Sequence, residues 1–182
     1  VKYDKFKDKI DNWGIIKEKL KIKYNLLNRK VILLAPSIND VSQILTLVSG
    51  IKVGTDTIFL LNPHPAVHID TMKSKHESIC PSVKIKYTLG DSTSDLMTIS
   101  SLIICGYSTV ALEAAYLGIQ SVRAKSLGDF PLFENEILIP SFYSSDDFNK
   151  WYNDQFCDKT ISELQISDLR KLAELYFYKM DG

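Results

Sequence analysis

Short apolar runs alternate with amphipathic stretches along most of the chain. Most runs are continuously apolar, which is typical of strands buried on both faces of a sheet, and one alternates with a period of two. The intervening stretches carry apolar side chains every three or four residues, which predicts helices. The predicted strands are 31–35, 57–61, 83–88, 102–105, 121–124 and 137–139. The predicted helices are 40–48, 66–76, 92–100, 108–117, 146–155 and 161–180.

The alternation of strands and helices predicts the fold class. A strand that returns to the same sheet through a helix forms a right-handed βαβ unit with parallel strands, and repeated units place helices on both faces of the sheet. We therefore predict a Rossmann-like, doubly wound α/β fold with a mainly parallel sheet.

The two ends of the chain lie outside this alternation. Residues 4–27 carry apolar side chains at helical spacing and lysines on the other face, which favours a packing helix over a helix at a membrane surface. We predict an N-terminal amphipathic helix or interdomain segment (1–29), a Rossmann-like domain (30–158) and a C-terminal helix (159–182) that packs on this domain or on a missing partner domain. Because the chain begins with Val1 rather than Met, we expect a further domain before it.

The composition is that of a neutral globular protein. The 182 residues include 22 Lys and Arg and 22 Asp and Glu, so the formal net charge is zero and no nucleic acid partner is expected. No apolar stretch reaches the roughly 18 residues of a transmembrane segment. The three cysteines lack the spacing of a metal site, and Cys105 is predicted to be a small core residue. A reducing, cytosolic setting is expected.

Candidate chemistry is expected where the predicted strands end, because open parallel sheets bind ligands beyond the carboxyl ends of their strands. The segments there are rich in Gly, Pro and polar side chains, and they are 36–40, 62–65, 89–92 and 106–109. Neither a Walker A motif nor a Gly-x-Gly-x-x-Gly fingerprint follows the first strand. The sequence therefore lacks the usual mononucleotide and dinucleotide fingerprints.

The segment IICGYSTVALEAAYLG (103–118) carries the strongest local pattern. Gly106 permits a tight turn out of the strand, and Ser108 and Thr109 open a helix whose free N–H groups suit a phosphate. The alternative for Ser108 is a simple N-cap, and both roles are compatible. Glu113 lies among small and apolar neighbours, where a lone carboxylate is costly to bury. It can accept two hydrogen bonds from a ribose diol, or lie on an exposed stripe of the helix.

His64 lies between two prolines at the end of the second predicted strand. Pro63 and Pro65 restrict the backbone on both sides, and Pro65 is predicted to be the first residue of the next helix. A preoriented imidazole there can donate a hydrogen bond to a phosphate oxygen or, when protonated, neutralise a leaving phosphate. The alternative is a structural histidine that caps a loop. His64 and His68 have the spacing of a metal pair, but no acidic third ligand accompanies them, so no metal is expected.

Taken in order, these motifs resemble the C-terminal, donor-nucleotide half of GT-B glycosyltransferases over roughly residues 30–140. The His-Pro and Ser-Thr pairs are similar to those of bacterial sialyltransferases and polysialyltransferases and of the CDP-glycerol glycerophosphotransferases of teichoic acid assembly. The resemblance implies that a catalytic histidine and the paired hydroxyls contact the donor phosphate, that the acid contacts ribose, and that 87–90 frames the base. The nucleotide-binding residues implied are His64, Pro65, Gly90, Gly106, Tyr107, Ser108, Thr109 and Glu113.

The resemblance also implies a function. Residues 30–158 would be the donor-nucleotide-binding domain of a GT-B-type glycosyltransferase or polyol-phosphate transferase that makes bacterial surface polysaccharide such as capsule, O-antigen or teichoic acid. The donor would be a CMP-, CDP- or UDP-linked sugar or polyol, with no other cofactor and no metal. An N-terminal domain outside this chain would supply the acceptor site and the general base, so we expect this chain to bind a donor without catalysing transfer alone. The expected location is the cytoplasm, including the inner face of the membrane.

Two other functions stay open. One is a non-catalytic interaction or regulatory module, for which Tyr176, Phe177 and Tyr178 in the last predicted helix offer an aromatic contact surface. The other is a UDP-sugar epimerase of the same architecture, although its catalytic acids are not evident in the sequence. Nucleotide binding that depends on His64 separates a donor-binding domain from an interaction module.

Overall fold

The computed structural model describes residues 11–88, 90–125, 138–157 and 161–181, with side chains to Tyr176. The strands are β1 (Lys30–Ala35), β2 (Thr57–Leu61), β3 (Ile85–Tyr87), β4 (Leu102–Cys105), β5 (Ser121–Ala124) and β6 (Ser141–Phe142). The helices are α1 (Trp13–Lys23), α2 (Val41–Ser49), α3 (Ile69–Ile79), α4 (Thr93–Met97), α5 (Val110–Tyr116), α6 (Ser145–Trp151) and α7 (Glu163–Asp181). A π-helical segment, Tyr152–Phe156, continues α6.

The six strands form one parallel sheet in the order β3-β2-β1-β4-β5-β6. Leu34 of β1 pairs with Leu61 of β2 and with Ile104 of β4, so these three strands end nearly level with one another. The chain order reverses between β1 and β4, which is the switch point where open α/β sheets form a crevice. The predicted fold class, a Rossmann-like doubly wound sheet, is confirmed. We call the side of the sheet where the strands end the carboxyl edge.

The uninterrupted apolar run of β1 fills both faces of the sheet. Val31, Leu33 and Ala35 join a buried cluster with side chains of α1, α4, α5 and α7. Ile32 and Leu34 join a second cluster with side chains of α2, α3 and α6. Because each face is covered by helices, every side chain of this strand has an apolar surrounding, and the strand needs no polar alternation.

The helices at the two ends of the chain share the core of the sheet. Leu20 and Tyr24 of α1 and Leu169 and Leu172 of α7 are buried in the same cluster as β1 and α5. Helix α7 packs against α5. The terminal helices therefore cover one face of the sheet, while the division of the chain at 29 and 158 stays a prediction.

Two predicted elements begin later in the chain than the sequence pattern indicates. The last predicted strand, 137–139, is wrong, because the strand that pairs with β5 is Ser141–Phe142. Ile139 is fully buried ahead of that strand, and residue 137 lies outside the described residues. The apolar side chain at 139 fills the core from a loop, which the pattern cannot distinguish from a strand position.

The helix predicted at 66–76 spans Ile69–Ile79 instead. The backbone N–H of Val67 donates to the carbonyl of His64 at 2.8 Å, which closes a turn ahead of the helix. His68 then has an extended backbone, with φ −66° and ψ 135°. Pro65 therefore belongs to this turn and is not the first residue of the helix, contrary to the prediction.

The first predicted helix, 4–27, is shorter in the described part of the chain. Helix α1 ends at Lys23, and Asn25 and Leu27 have positive φ angles of 49° and 48°, so the backbone leaves the helical conformation there. Leu27 is exposed, contrary to its place in the predicted apolar stripe. Residues 1–10, including the start of the predicted helix, lie outside the described residues.

The structure confirms Cys105 as a core residue. Its side chain is fully buried, and burial raises the pKa of the thiol to about 12. Cys80, Cys105 and Cys157 are all free thiols. In the described part of the chain, no helix combines the length and hydropathy of a membrane span. The same residues contain no group of three His, Cys, Asp or Glu side chains that can hold a metal ion.

Candidate functional site

A cavity of about 600 Å³ opens at the carboxyl edge beside β2 and β3. Two segments form its walls, residues 62–67 after β2 and residues 88 and 90–93 after β3, and we call them the cavity loops. The first residue of α3 completes the lining. The cavity is lined by Asn62, Pro63, His64, Pro65, Val67, Ile69, Thr88, Gly90, Asp91, Ser92 and Thr93.

A neutral hydrogen-bond network around Asn62 holds the cavity loops together. The Asn62 side chain donates through Nδ2 to Thr93 Oγ1 at 2.9 Å, and its Oδ1 accepts from Thr88 Oγ1 at 2.6 Å. Its backbone N–H donates to the carbonyl of Leu34 at 3.0 Å. One amide side chain therefore connects the ends of β2 and β3 with the start of α4. Sequence reasoning missed Thr88 and Thr93, whose only sequence signal is that one follows a predicted strand and the other begins a predicted helix.

The imidazole of His64 is oriented by a hydrogen bond within its own loop. The backbone N–H of Ala66 donates to His64 Nδ1 at 3.2 Å. Because Nδ1 accepts, the neutral ring carries its proton on Nε2, and Nε2–H is the group that can donate to a ligand. The ring is half-buried and lines the cavity. The restricted imidazole expected between two prolines is therefore fixed by a turn and a hydrogen bond.

Asp91 supplies the carboxylate of the cavity. Lys23 Nζ lies 2.8 Å from its Oδ1 and 2.7 Å from its Oδ2, and the hydroxyl of Tyr24 donates to the same Oδ2. The hydrogen bond to Asp91 raises the pKa of Lys23 above its ordinary value. The preceding residue, Gly90, has a φ of 81°, a left-handed conformation that favours glycine. Ser92 then caps α4 by accepting from the Asp95 N–H at 3.1 Å, as its spacing predicted.

A buried carboxylate joins the two loops at the centre of the sheet. We call these loops, residues 36–40 after β1 and 106–109 after β4, the central loops. Asp40 is 4% exposed and accepts hydrogen bonds from the backbone N–H of Ser37 at 2.6 Å, from its hydroxyl at 2.7 Å and from the backbone N–H of Tyr107 at 3.0 Å. Sequence reasoning placed Asp40 at the start of a helix and gave it no contact with β4.

Gly106 is required by this carboxylate and not by an unusual turn. Its φ is not in the left-handed region, whereas a Cβ added there would lie 2.2 Å from Asp40 Oδ2. The predicted role of Gly106, a tight turn that only glycine permits, is therefore replaced by close approach of a side chain. Next to it, the exposed ring of Tyr107 lies over the buried guanidinium of Arg123, whose Cζ is 5.1 Å from the ring centroid.

The start of α5 has the predicted polar character. The N-cap residue of α5 is Thr109, and its side chain makes no capping hydrogen bond. Its carbonyl accepts from the Leu112 N–H at 2.9 Å and from the Glu113 N–H at 3.1 Å. Ser108 Oγ accepts from the Val110 N–H at 3.2 Å, so Ser108 binds the first N–H of the helix from one position before the N-cap. The predicted phosphate contact of this helix start stays a prediction.

Glu113 is half-buried in the first turn of α5, between fully buried alanine and leucine side chains. The carboxylate has an interaction partner. Its predicted ribose contact is untested and stays a prediction.

The structure brings only part of the predicted site into one cavity. His64, Pro65 and Gly90 line it together. The other predicted residues follow β4, which is separated from β2 by β1, so the two groups lie roughly 10 Å apart along the carboxyl edge. That second group, which does not line the cavity, is Gly106, Tyr107, Ser108, Thr109 and Glu113.

Comparison with protein families finds no match, and comparison with curated proteins finds none either. Solved structures do match. HepE of Anabaena, determined with UDP-glucose, has a TM-score of 0.64 and 14% identity, over 88% of this chain and 48% of HepE. The C-terminal CMP-Kdo binding domain of WaaA from Acinetobacter baumannii has a TM-score of 0.59 and 16% identity, over 87% of this chain and 97% of that domain.

The wall teichoic acid polymerase TagF, determined with CDPG, has a TM-score of 0.53 and 16% identity, over 89% of this chain and 39% of TagF. The chain has the fold of a GT-B glycosyltransferase C-terminal domain. It spans less than half of HepE and of TagF but nearly the whole WaaA domain. The same fold also matches a Listeria monocytogenes protein named as a UDP-N-acetylglucosamine 2-epimerase, with a TM-score of 0.52 and 14% identity over 84% of this chain and 41% of that protein.

Proposed function

We propose that this chain is the donor-nucleotide-binding domain of a GT-B-type glycosyltransferase or polyol-phosphate transferase. The observation that carries the proposal is the cavity at the carboxyl edge, where His64 presents a fixed Nε2–H. Cavities at this edge are where doubly wound sheets bind nucleotides. The fold of three proteins determined with, or named for, nucleotide-linked sugars or polyols supports the same function.

In this proposal His64 is the catalytic residue. Its Nε2–H donates to a phosphate oxygen of the bound donor and stabilises the charge that develops on that phosphate as the sugar or polyol leaves. This is electrostatic stabilisation of a leaving group. We propose that this chemistry requires no metal.

The remaining polar groups bind the rest of the nucleotide. Asp91 lines the cavity and accepts three hydrogen bonds from protein groups, while a carboxylate has about four acceptor positions. It therefore keeps capacity for a hydroxyl of the ribose diol, a role that sequence reasoning gave to Glu113. Ser108 and Thr109 lie further along the same edge, where a diphosphate or the transferred group extends from the cavity.

The donor class that we propose is a CMP-, CDP- or UDP-linked sugar or polyol. HepE was determined with UDP-glucose and TagF with CDPG, and the WaaA domain is named for binding CMP-Kdo. We further propose that the whole protein acts in the cytoplasm, or at the inner face of the membrane, in synthesis of a bacterial surface polysaccharide such as capsule, O-antigen or teichoic acid. An N-terminal domain would bind the acceptor, because HepE and TagF are more than twice as long as the part that matches.

An epimerase domain is the second candidate, because one protein of that name shares the fold. An epimerase needs acid and base groups close to the sugar, and among the cavity side chains only His64 and Asp91 are ionisable. Since Asp91 is already paired with Lys23, the arrangement favours nucleotide binding and transfer.

Calorimetric titration with CMP, CDP, UDP and GDP tests the proposed function. We expect one base to bind selectively, and we expect His64→Ala to weaken that binding by about 10- to 100-fold, the value of a hydrogen bond to a charged group. His68→Ala is the matched control, because that side chain is exposed, pairs with Asp70 at 3.4 Å and does not line the cavity. A folded protein that binds none of the four nucleotides favours the interaction-module alternative. Equal binding by the wild type and His64→Ala contradicts the role of His64.

A further inference from the structure

The C-terminal end of α1 is joined to the wall of the cavity. Lys23 and Tyr24 contact both oxygens of Asp91, and Lys86 Nζ donates to the carbonyl of Tyr24 at 2.6 Å. Tyr24 is 7% exposed and packs in the core. These contacts connect a helix that precedes β1 to a loop that follows β3.

The place of α1 in the chain does not by itself explain its contact with the carboxyl edge. Helix α1 precedes the first βα unit of the sheet, so the Rossmann-like sheet does not require it at the carboxyl edge. It packs against α4, which begins immediately after Asp91 and Ser92. The Tyr24 hydroxyl reaches the Asp91 carboxylate from a ring that packs in the core, whereas the Lys23 ammonium reaches it from the exposed side of α1. Asp91, with 15% of its side chain exposed, lines the cavity.

We propose that Lys23 and Tyr24 are positioning residues that hold the Asp91 carboxylate ready to accept hydrogen bonds from a ribose diol, and so set the preference for ribonucleotides over 2′,3′-dideoxynucleotides. The proposal rests on the nucleotide-binding function proposed above. A carboxylate that is already ordered loses little rotamer freedom when the diol binds, whereas a released carboxylate loses more. The expected difference is about fivefold in affinity.

The alternative is that the same contacts only attach α1 to the domain. The two roles differ in what they predict for the ligand. An attachment role weakens the ribonucleotide and the dideoxynucleotide equally, because both depend on the loop being folded. A positioning role weakens only the ribonucleotide, because the dideoxynucleotide has no diol for Asp91 to bind.

The experiment is a titration of CMP and UMP, each with its 2′,3′-dideoxy form, against the wild type, Tyr24→Phe and Lys23→Met. Tyr24→Phe keeps the buried ring and removes the hydroxyl. We expect both variants to lose about fivefold in affinity for the preferred ribonucleotide and to keep the wild-type affinity for its dideoxy form. Lys21→Met is the matched control, because Lys21 lies on the same helix and pairs with exposed Glu18 at 3.1 Å. It should change neither affinity.

Lys23→Arg keeps the positive charge and should restore most of the preference. Equal weakening of both nucleotide forms, or an unchanged preference in Tyr24→Phe and Lys23→Met, overturns the positioning role while the proposed function stands. A wild-type protein that binds neither CMP nor UMP, nor any of the nucleotides tested with His64→Ala, overturns the proposed function and the positioning role with it. Thermal unfolding of each variant identifies any variant that has lost its fold. If either Tyr24→Phe or Lys23→Met is unfolded, the affinities of the other variant test the positioning role.

Discussion

The cavity loops and the central loops lie on the same edge of the sheet, but they are held in different ways. The central loops close around the carboxylate of Asp40, which is buried and accepts three hydrogen bonds from the chain. The cavity loops are joined by the neutral side chains of Asn62, Thr88 and Thr93. They leave a cavity of about 600 Å³ between them.

The two pairs of loops use their polar groups for different purposes. A buried carboxylate that is hydrogen-bonded to the chain fixes a shape, but at 4% exposure it is closed to a ligand. In the cavity loops an amide and two hydroxyls fix the shape, so the titratable groups, His64 and Asp91, remain at the cavity surface. The central loops therefore act as a frame, and the cavity loops carry the ionisable groups that we propose bind the ligand.

Asp40→Ala should produce the largest effect on stability. It leaves the N–H groups of Ser37 and Tyr107 without their acceptor, and we expect the free energy of unfolding to fall by about 3 kcal/mol. Asp91→Ala is the matched change in the cavity loops. Because Asp91 pairs with an exposed lysine and with one buried hydroxyl, that of Tyr24, it should cost less than Asp40→Ala.

Urea denaturation of the two variants measures both values. The comparison fails if Asp91→Ala proves as destabilising as Asp40→Ala, since the cavity loops would then also depend on a charged group for their shape. Asp40→Asn should lie between Asp40→Ala and the wild type, because the two N–H groups donate to different carboxylate oxygens and the one amide oxygen can keep only one of these bonds.

Two glycine substitutions should have smaller effects with different causes. Gly106→Ala places a methyl group 2.2 Å from the Asp40 carboxylate, and we expect a loss of about 2 kcal/mol from overpacking. Gly90→Ala meets nothing within 4 Å but must adopt a φ of 81°, which costs about 1 kcal/mol in backbone strain. Chemical denaturation gives both losses.

Repeating both glycine substitutions in a protein that lacks the Asp40 side chain separates the steric clash at Gly106 from the backbone strain at Gly90. In Asp40→Gly protein, the cost of Gly106→Ala should fall by roughly 1 kcal/mol or more, because the Oδ2, Cγ and Cβ atoms that lie 2.2, 2.4 and 2.5 Å from the added methyl group are gone. The cost of Gly90→Ala should stay the same in Asp40→Gly protein. Additive costs for Gly106→Ala and Asp40→Gly contradict the steric explanation for the glycine.

Alkaline pH should weaken the packing beneath the central loops. Burial raises the pKa of Cys105, the last residue of β4, from 9.0 to about 12, and the Arg123 charge only partly opposes this shift. The unfolded thiol ionises first, so this contribution to stability is complete below pH 9 and is lost as the pH rises towards 12. Within that window we expect a loss of about 1.4 kcal/mol per pH unit from this group.

Tyr152, whose pKa burial also raises to about 12, contributes in the same direction. Cys105→Ala therefore serves as the reference, and the slope of unfolding free energy against pH should become shallower in this variant. Identical slopes in the two proteins would mean that the Cys105 thiol ionises over the same pH range in the folded and the unfolded chain, and they would contradict the burial argument.

Local patterns were sufficient to predict most of the strands. The bounds 57–61, 102–105 and 121–124 agree with β2, β4 and β5, because runs that are apolar on both faces leave little choice of structure. The Ser92 cap also followed from spacing alone. The pattern failed at Ile139, where a buried loop side chain and a strand side chain have the same sequence signal.

The candidate site was predicted less completely than the fold. His64, Pro65 and Gly90 were identified because Pro and Gly mark the ends of strands, and they do line one cavity. Thr88 and Thr93 were missed because a threonine beside a strand has many ordinary roles. Their importance depends on meeting Asn62, which is 26 and 31 residues away along the chain.

The sequence by itself determined the class of fold, the edge of the sheet where the cavity opens and the histidine placed there, since periodicity, proline and glycine act on the local backbone. Only the tertiary structure decided which carboxylates serve the frame and which serve the cavity. Asp40 and Asp91 have similar local surroundings in the sequence, each following a strand and preceding a helix. Their roles differ because Asp40 meets the β4 loop in the buried centre of the sheet, whereas Asp91 meets α1 beside an open cavity. Such contacts between distant segments exist only after the sheet has formed.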